Sequence, residues 1–339
     1  MFQKKFLQYA LCSAGFLGIA AVCAVSFFRD RPPRGDILEQ SLFVMDTYCE
    51  ISVQEGSAAS VSQLLYDLDD ALDSFDTDSD IAKLNCGKPL DRDSSAGDVI
   101  AKSLALQTQY GNSVDITSGA LTKLWGITTE NPRVPAPQEL KAALETIGPD
   151  HVHISEEEIT LDDGTQIDLG AAAKGYALDC AAELFAEQNV PYGKISMTSS
   201  MLLYGEKPDG KPFTVAIRDP AGKGTLGTVE TGSCFLSTSG GYERFFTAED
   251  GTKYSHILST ESGYPIETDL TTVTVFCDSG LLSDYLSTLI YMGGTAALET
   301  HLRAENYKIV AADTEGRLYV SDGLAFTPSE QENETEETE

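Results

Sequence analysis

The chain has 339 residues, 42% hydrophobic and 22% charged, which allows one large domain or two small ones with a sizeable core. Its formal net charge is −30. A chain this acidic repels phosphate backbones, so the composition argues against a nucleic-acid partner.

The N-terminus reads MFQKKFLQYALCSAGFLGIAAVCAVSFFRDRPPRG. Residues Phe6 to Phe28 carry no charge and follow Lys4 and Lys5. Such a run reaches the roughly 20 residues that span a bilayer, and it exceeds the apolar region of about 7–15 residues usual in a cleaved signal peptide. No small-x-small cleavage site is visible. Residues 1–35 are therefore expected to be a membrane anchor or signal segment with its linker, with lipidation at Cys23 as the second route. Arg29, Arg31 and Arg34 follow the span, so counting Lys and Arg leaves its orientation open.

Beyond the linker, SLFVMDTYCEISV is expected as a strand. The next segment places Val61, Leu64, Leu65, Leu68, Leu72 and Phe75 at helical spacing. DTDSDIAKLN offers capping Asp and Ser ahead of a short helix, CGKPLDRDSSAG reads as a loop, and DVIAKSLALQTQYG as a second amphipathic helix. NPRVPAP breaks the chain before a helix in QELKAALETIG. HVHI and the two halves of TLDDGTQIDL, around a DG turn, are expected as short strands. AAAKGYALDCAAELFAEQNV is a helix by its alanines and its Leu178, Ala182 and Phe185 face.

FTVAIRDP, TVETGSCFLSTSG, YERFF, KYSHIL and TTVTVFC are strand candidates, with AEDGT as a hairpin turn. LLSDYLSTLIYMGG and TAALETHLRAEN read as helices, and YKIVAAD and GRLYVSD as strands paired across TEG. Helices and strands mix without regular alternation or repeat. This predicts an α/β (mixed α+β) fold in a single domain over residues 40–326, behind the N-terminal segment. Residues 327–339 are expected to be a disordered acidic tail, since SEQENETEETE carries six Glu and no apolar side chain. Five Cys lie outside the apolar run: Cys49, Cys86, Cys180, Cys234 and Cys277. They are odd in number and without a Cys-x-x-Cys pair, and are read as buried free thiols.

Three clusters carry chemistry. In IDLGAAAKGYALD, Asp168 is placed at a strand end and a helix starts near Ala171. The small residues between them let a ligand approach the backbone. A cation in a first helical turn works against the helix dipole, so Lys174 suits a ligand phosphate or a nearby carboxylate. Tight helix packing with a solvated Lys174 explains the same residues. In SDYLSTLIYMGG, Asp284 and Thr288 share a helix face, an oxygen pair that suits Mg²⁺ and equally suits capping and back-bonding. The third cluster sets Thr238-Ser239-Gly240-Gly241, a small hydroxyl turn, ahead of His256, which is flanked by hydroxyl residues and followed by a glycine turn.

Together these pieces resemble the FAD:protein FMN transferase family. The segments that carry the resemblance are, in order, FVMDT, FDTDSDIAKLN, VDITSGALTKLWG, IDLGAAAKGYALD, GEKPDGKPFTVAIRDP, LSTSGGYERFF, HILSTESGYP and VTVFCDSGLLSDYLSTLIYMGG, covering about residues 42–300. The resemblance implies a membrane-attached, extracytoplasmic ectodomain of the flavin-transferase type. Such an enzyme binds FAD and Mg²⁺, attaches FMN to a Ser or Thr of an exported acceptor protein, and releases AMP. Carried over by motif, Met45, Asp115, Trp125, Asp168, Lys174, Thr238 and Ser287 would form the FAD site. Ala171 (through its carbonyl), Asp284 and Thr288 would hold the metal, and His256 would be the catalytic base.

Two segments depart from the family pattern. Thr198, Ser199 and Ser200 stand where a Gly-Gly segment is usual, and Ser259 to Gly263 replace a stretch with Asp-Pro and then Thr-Gly, leaving Glu261 as the nearest carboxylate. Two other functions fit the same motifs: a catalytically impaired flavin- or metal-binding member of the fold, and an extracellular scaffold of an electron-transfer complex.

Overall fold

The computed structural model describes residues 36–222, 224–242 and 244–329. The apolar N-terminal run, Cys23 and the acidic run from Glu330 lie outside the described residues. Among the described residues no helix is long and apolar enough to cross a membrane. Ile37 to Pro328 lie in one compact unit.

In chain order the first strands are β1 (Ile37–Val44), β2 (Thr47–Gln54), β3 (Leu90–Asp91), β4 (Val152–Ile154) and β5 (Glu158–Leu161). Then come β6 (Tyr192–Met197), β7 (Ser200–Gly205), β8 (Phe213–Arg218), β9 (Thr225–Thr231), β10 (Cys234–Ser239), β11 (Phe245–Thr247) and β12 (Lys253–Ser255). The last are β13 (Leu270–Cys277), β14 (Lys308–Asp313), β15 (Leu318–Val320) and β16 (Ala325–Pro328). The helices are α1 (Glu55–Leu72), α2 (Asp80–Asn85), α3 (Ser95–Tyr110), α4 (Gly119–Trp125), α5 (Pro137–Leu144), α6 (Ala173–Glu187) and α7 (Gly280–His301).

Eight strands form the main sheet in the order β1-β2-β6-β7-β10-β13-β14-β15, and its ladders are antiparallel. One face is covered by helices. Thr47, Cys49, Ile51 and Val53 of β2 alternate inward, as a half-buried strand requires. Cys49, Ile51 and Val53 meet Val61, Leu65, Leu68 and Leu72 of α1 and Leu178, Ala181 and Phe185 of α6. Each such buried aliphatic side chain contributes on the order of 1.5–3 kcal/mol. Further along the sheet α7 lays Leu286 and Ile290 on Val273 and Val275 of β13. The opposite face is covered by the small sheet β16-β9-β8, whose Val215, Ile217 and Val229 pack on Leu203, Leu236 and Phe276.

The mixed fold agrees with the sequence reading, and several elements differ in detail. SLFVMDTYCEISV is a hairpin rather than one strand. Met45 and Asp46 form its two-residue turn at φ 51° and 55°, a conformation in which Asn-Gly or Asp-Gly is usual, so no sequence signal marked it. A second hairpin joins β6 to β7 through Thr198-Ser199. Neither residue takes a positive φ, so the turn does not call for glycine.

The expected strand after the DG turn is only a single bridge, Gln166 to Ser118. Asn85 substitutes for a strand partner: its amide donates to Ile167 O (2.9 Å) and its oxygen accepts from Ile167 N (2.6 Å). Helix α6 starts at Ala173 rather than Ala171, and α1 ends before Phe75, which is exposed. The two expected C-terminal helices are both present: the span of α7 is interrupted by a kink at Gly294, whose backbone is non-helical at φ 66° and ψ −163°. Residues 327 and 328, expected in the tail, belong to β16, paired with β9. Of the five thiols, Cys49 and Cys277 are buried and Cys86 is exposed; all five are free.

Candidate active site

A cavity of about 470 Å³ opens between the helix layer and the ends of the hairpin turns. Met45, Asp115, Trp125, Asp168, Ala171, Lys174, Thr238, His256, Asp284 and Thr288 all line it. Ser287 does not. It is 1% exposed, and its hydroxyl bonds to Asp284 O and to Ser239 Oγ (both 3.0 Å), one layer behind the wall.

The floor is built by a close crossing of two helices. A Cβ placed on Gly175 would lie 2.2 Å from Gly280 O, and one on Gly280 would lie 2.2 Å from Gly175 O, so only glycine permits this approach of α6 to α7. Asp179, one turn after Gly175, accepts hydrogen bonds from Gly280 N (2.6 Å), Leu281 N (2.9 Å) and Ser279 Oγ (3.1 Å). It caps the start of α7 from the neighbouring helix, satisfying amides that a helix N-terminus leaves without partners. Burial pushes its carboxyl above the usual range.

This crossing aims Asp284 at the cavity. The carboxylate is 6% exposed and takes one donor on each oxygen: Gly175 N to Oδ2 (2.6 Å) and Ser200 Oγ to Oδ1 (2.7 Å). Thr288, one turn on, shares a hydrogen bond with Ser239 Oγ (3.0 Å). The Ala171 carbonyl, in the turn before α6, receives no donor among the described residues. An orphan carbonyl, a carboxylate and a hydroxyl lining one cavity form an oxygen-only set whose chemistry fits a hard cation such as Mg²⁺. Among the described residues no three His, Cys, Asp or Glu cluster as metal ligands.

Asp168 and Lys174 both face the cavity and do not pair. Asp168 Oδ1 accepts from Gly170 N (2.7 Å), and its own amide donates to Ile116 O (2.7 Å). Among the described residues Lys174, Arg218 and Arg244 take part in no ion pair, although all three line the cavity. The same lining carries six carboxylates, Asp46, Asp69, Asp73, Asp115, Asp168 and Asp284, so the three cations offer local contacts for an anion within a cleft that has more acids than bases. Arg218 lies over the Tyr242 ring at 5.8 Å, and Arg244 Nη2 donates to Asp46 O (3.0 Å) on the β1–β2 turn.

His256 follows β12. Its Nδ1 lies 3.0 Å from Arg244 O. A carbonyl only accepts, so Nδ1 carries the proton and Nε2 keeps its lone pair. The surrounding cavity wall strips water from the ring and, with the Arg244 and Lys174 charges beside it, pushes its pKa down to about 4. The imidazole is thus a neutral base at neutral pH. The carboxylate missing after the His motif is not replaced by Glu261, which is exposed and off the cavity. The Arg244 carbonyl orients the ring.

Part of the cavity lining is apolar. Trp125 is fully buried, donates Nε1–H to Gly263 O (2.7 Å) and packs on Tyr254 and Tyr264. Ile127 and Leu258 pack in the same cluster as Trp125, and Ile116 and Ile257 also line the cavity. Asp115, 8% exposed, accepts from Gln107 Nε2 (2.8 Å), Thr117 N (2.8 Å) and Thr117 Oγ1 (2.6 Å).

Sequence reasoning missed Arg218, Arg244, Asp179 and Ser200. The two arginines stood in quoted segments, IRDP and YERFF, but neither had a local pattern pointing inward. Asp179 closes IDLGAAAKGYALD and looked like an ordinary helix residue.

A neutral imidazole, three cations outside any ion pair among the described residues and a set of oxygen groups line one cleft on a mixed α/β scaffold, and such parts suit phosphoryl transfer. Comparison with known proteins narrows this. The profile of the ApbE family matches residues 45–311. A FAD:protein FMN transferase of Vibrio cholerae is 28% identical over 242 residues, covering 69% of this chain and 72% of that protein. The Escherichia coli K12 protein of the same name is 26% identical over 328 residues, covering 89% and 93%. The crystal structure of the ApbE protein of Thermotoga maritima superposes with a TM-score of 0.78 at 26% identity, covering 85% of this chain and 97% of that one. The chain belongs to the ApbE family.

Proposed function

We propose that this chain is a flavin transferase that moves FMN from FAD to a Ser or Thr hydroxyl of an exported acceptor protein, uses Mg²⁺ and releases AMP. The observation that carries this reading is the meeting, in one cavity, of a neutral His256 with Nε2 free, three cations that form no ion pair among the described residues, and the Ala171, Asp284 and Thr288 oxygens. The names of the curated relatives support the same reaction.

In this reading Trp125 and the neighbouring aliphatic side chains take the flavin ring, and Lys174, Arg218 and Arg244 take the diphosphate. Ala171 O, Asp284 and Thr288 hold the metal, which when bound supplies positive charge beside the phosphates. His256 Nε2 accepts the proton of the acceptor hydroxyl as its oxygen bonds to the FMN phosphorus. The bond from that phosphorus to the AMP oxygen breaks, and AMP leaves with the bonding pair. The Nδ1–H bond to Arg244 O holds the imidazole in the tautomer this requires. The N-terminal segment tethers the domain on the extracytoplasmic face, where an exported acceptor is met.

The test is to incubate the full chain with FAD, Mg²⁺ and a flavin-acceptor protein, and to read covalent flavin fluorescence on the acceptor after denaturing electrophoresis. Fluorescence that persists on the denatured acceptor is the expected result. FAD retained by the chain without transfer would instead make it a flavin binder, and absence of FAD affinity would make it a scaffold.

A further inference from the structure

Ser200 lies at the start of β7, 2% exposed, and does not line the cavity. Its hydroxyl donates to Asp284 Oδ1 at 2.7 Å across 84 residues of sequence. On the other oxygen the Gly175 amide donates at 2.6 Å. The two donors come from different elements, a strand and a helix start, and grip the carboxylate from behind. The side chain has two torsions, and two directed bonds fix both. The lone pairs not used by these two donors remain available on a carboxylate that lines the same cavity as Ala171 and Thr288.

We propose that Ser200 is a positioning residue for a divalent cation: its hydroxyl, with the Gly175 amide, locks the Asp284 carboxylate in the orientation that ligates the metal. This rests on the reading of Ala171, Asp284 and Thr288 as a Mg²⁺ site. Ser200 touches neither the metal nor the substrate, so its effect falls on metal affinity rather than on the chemical step. Outer donors that orient a ligating side chain typically change metal affinity by about 10–100-fold when removed. Within the segment that departs from the family pattern, Ser200 therefore supports the site from behind, while Thr198 and Ser199 line the cavity. Thr198 and Ser199 form the turn, and Ser200 turns its hydroxyl inward.

A nearby bond supplies the control. Ser237 Oγ and Ser283 Oγ, also buried, hydrogen-bond at 2.9 Å between β10 and α7 and do not touch Asp284. Ser237→Ala removes a buried hydroxyl–hydroxyl bond made to the same helix from the neighbouring strand, directly across the ladder from Ser200, and so controls for packing at this point of the sheet.

The experiment titrates Mg²⁺ alone into the full-length chain by calorimetry, without FAD, for the parent, Ser200→Ala and Ser237→Ala. The dependence of acceptor flavinylation on Mg²⁺ is measured beside it. The expected result is a dissociation constant raised about 10–100-fold in Ser200→Ala and by less than twofold in Ser237→Ala. Flavinylation at saturating Mg²⁺ should recover to near the parent rate. Ser200→Cys, of similar volume and with a weak donor, should fall between parent and alanine, and it carries the test where alanine does not fold. Equal Mg²⁺ affinity in parent and Ser200→Ala overturns the role of Ser200 while leaving the metal site intact. An equal loss in Ser200→Ala and Ser237→Ala assigns the effect to packing and also overturns it. A parent that binds no Mg²⁺ overturns the metal reading itself.

Discussion

Gly175→Ala tests the helix crossing on which the cavity floor depends. In an isolated helix the change is favourable by about 0.5–1 kcal/mol, because alanine loses less backbone entropy than glycine. Here the new methyl would meet Gly280 O at 2.2 Å, Gly280 C at 2.5 Å and Leu281 N at 2.8 Å. These are backbone atoms and cannot rotate aside, and relief requires the helices to separate by roughly 1 Å to reach van der Waals distance. Overpacking of this kind costs about 1–3 kcal/mol. The Asp179 cap and the Gly175–Asp284 hydrogen bond span the same gap, so both lengthen with it. The net expectation is a destabilisation of about 1–3 kcal/mol in urea denaturation, together with weaker Mg²⁺ binding. A Gly175→Ala variant whose unfolding midpoint equals or exceeds that of the parent would refute the close crossing. A destabilised variant with unchanged Mg²⁺ affinity would refute its link to Asp284.

Other predictions follow from the same geometry. Because His256 is held down to about 4 from an ordinary 6.5, the acid limb of flavinylation should fall near pH 4 rather than near 6.5, and His256→Ala should abolish transfer while retaining FAD in equilibrium dialysis. The same shift makes the unfolded chain bind a proton that the folded chain refuses between those values. Stability should therefore fall as pH drops from 6.5 to 4, and this slope should shrink in His256→Gln. Asp284→Ala should remove Mg²⁺-dependent turnover, measured as flavinylation across a Mg²⁺ series, and full activity in that variant would exclude the carboxylate as a ligand. Trp125→Phe leaves the buried Gly263 carbonyl without its donor and should cost about 1–3 kcal/mol of stability in urea denaturation.

The sequence exposed those parts of the fold that depend on local periodicity. Helix α1 was legible because Val61, Leu65, Leu68 and Leu72 form one buried stripe, and α2 because Ser79 caps it at Ala82 N. The β1–β2 turn was not legible, since Met45 adopts a left-handed conformation that its residue type does not favour and no glycine follows Asp46; tertiary bonds such as Met45 N donating to Asp69 Oδ1 hold it. The positions of Asp284, Thr288, Lys174 and His256 in a common cleft could be anticipated from ordered motifs. The placement of Ser287 behind the wall could not, because one helical step of 100° separates it from the cavity-facing Thr288. Arg244 was hidden for another reason: its backbone carbonyl, a group every residue carries, orients His256, while its side chain reaches a hairpin turn 198 positions away.

The most direct test of the account is the stoichiometry of the reaction, with AMP counted by chromatography and acceptor-bound FMN by intact mass in the same sample. One AMP per attached FMN, with both absent when His256 is alanine, is the predicted result. AMP formed without modified acceptor, or acceptor flavinylated equally well by the His256→Ala chain, would contradict it.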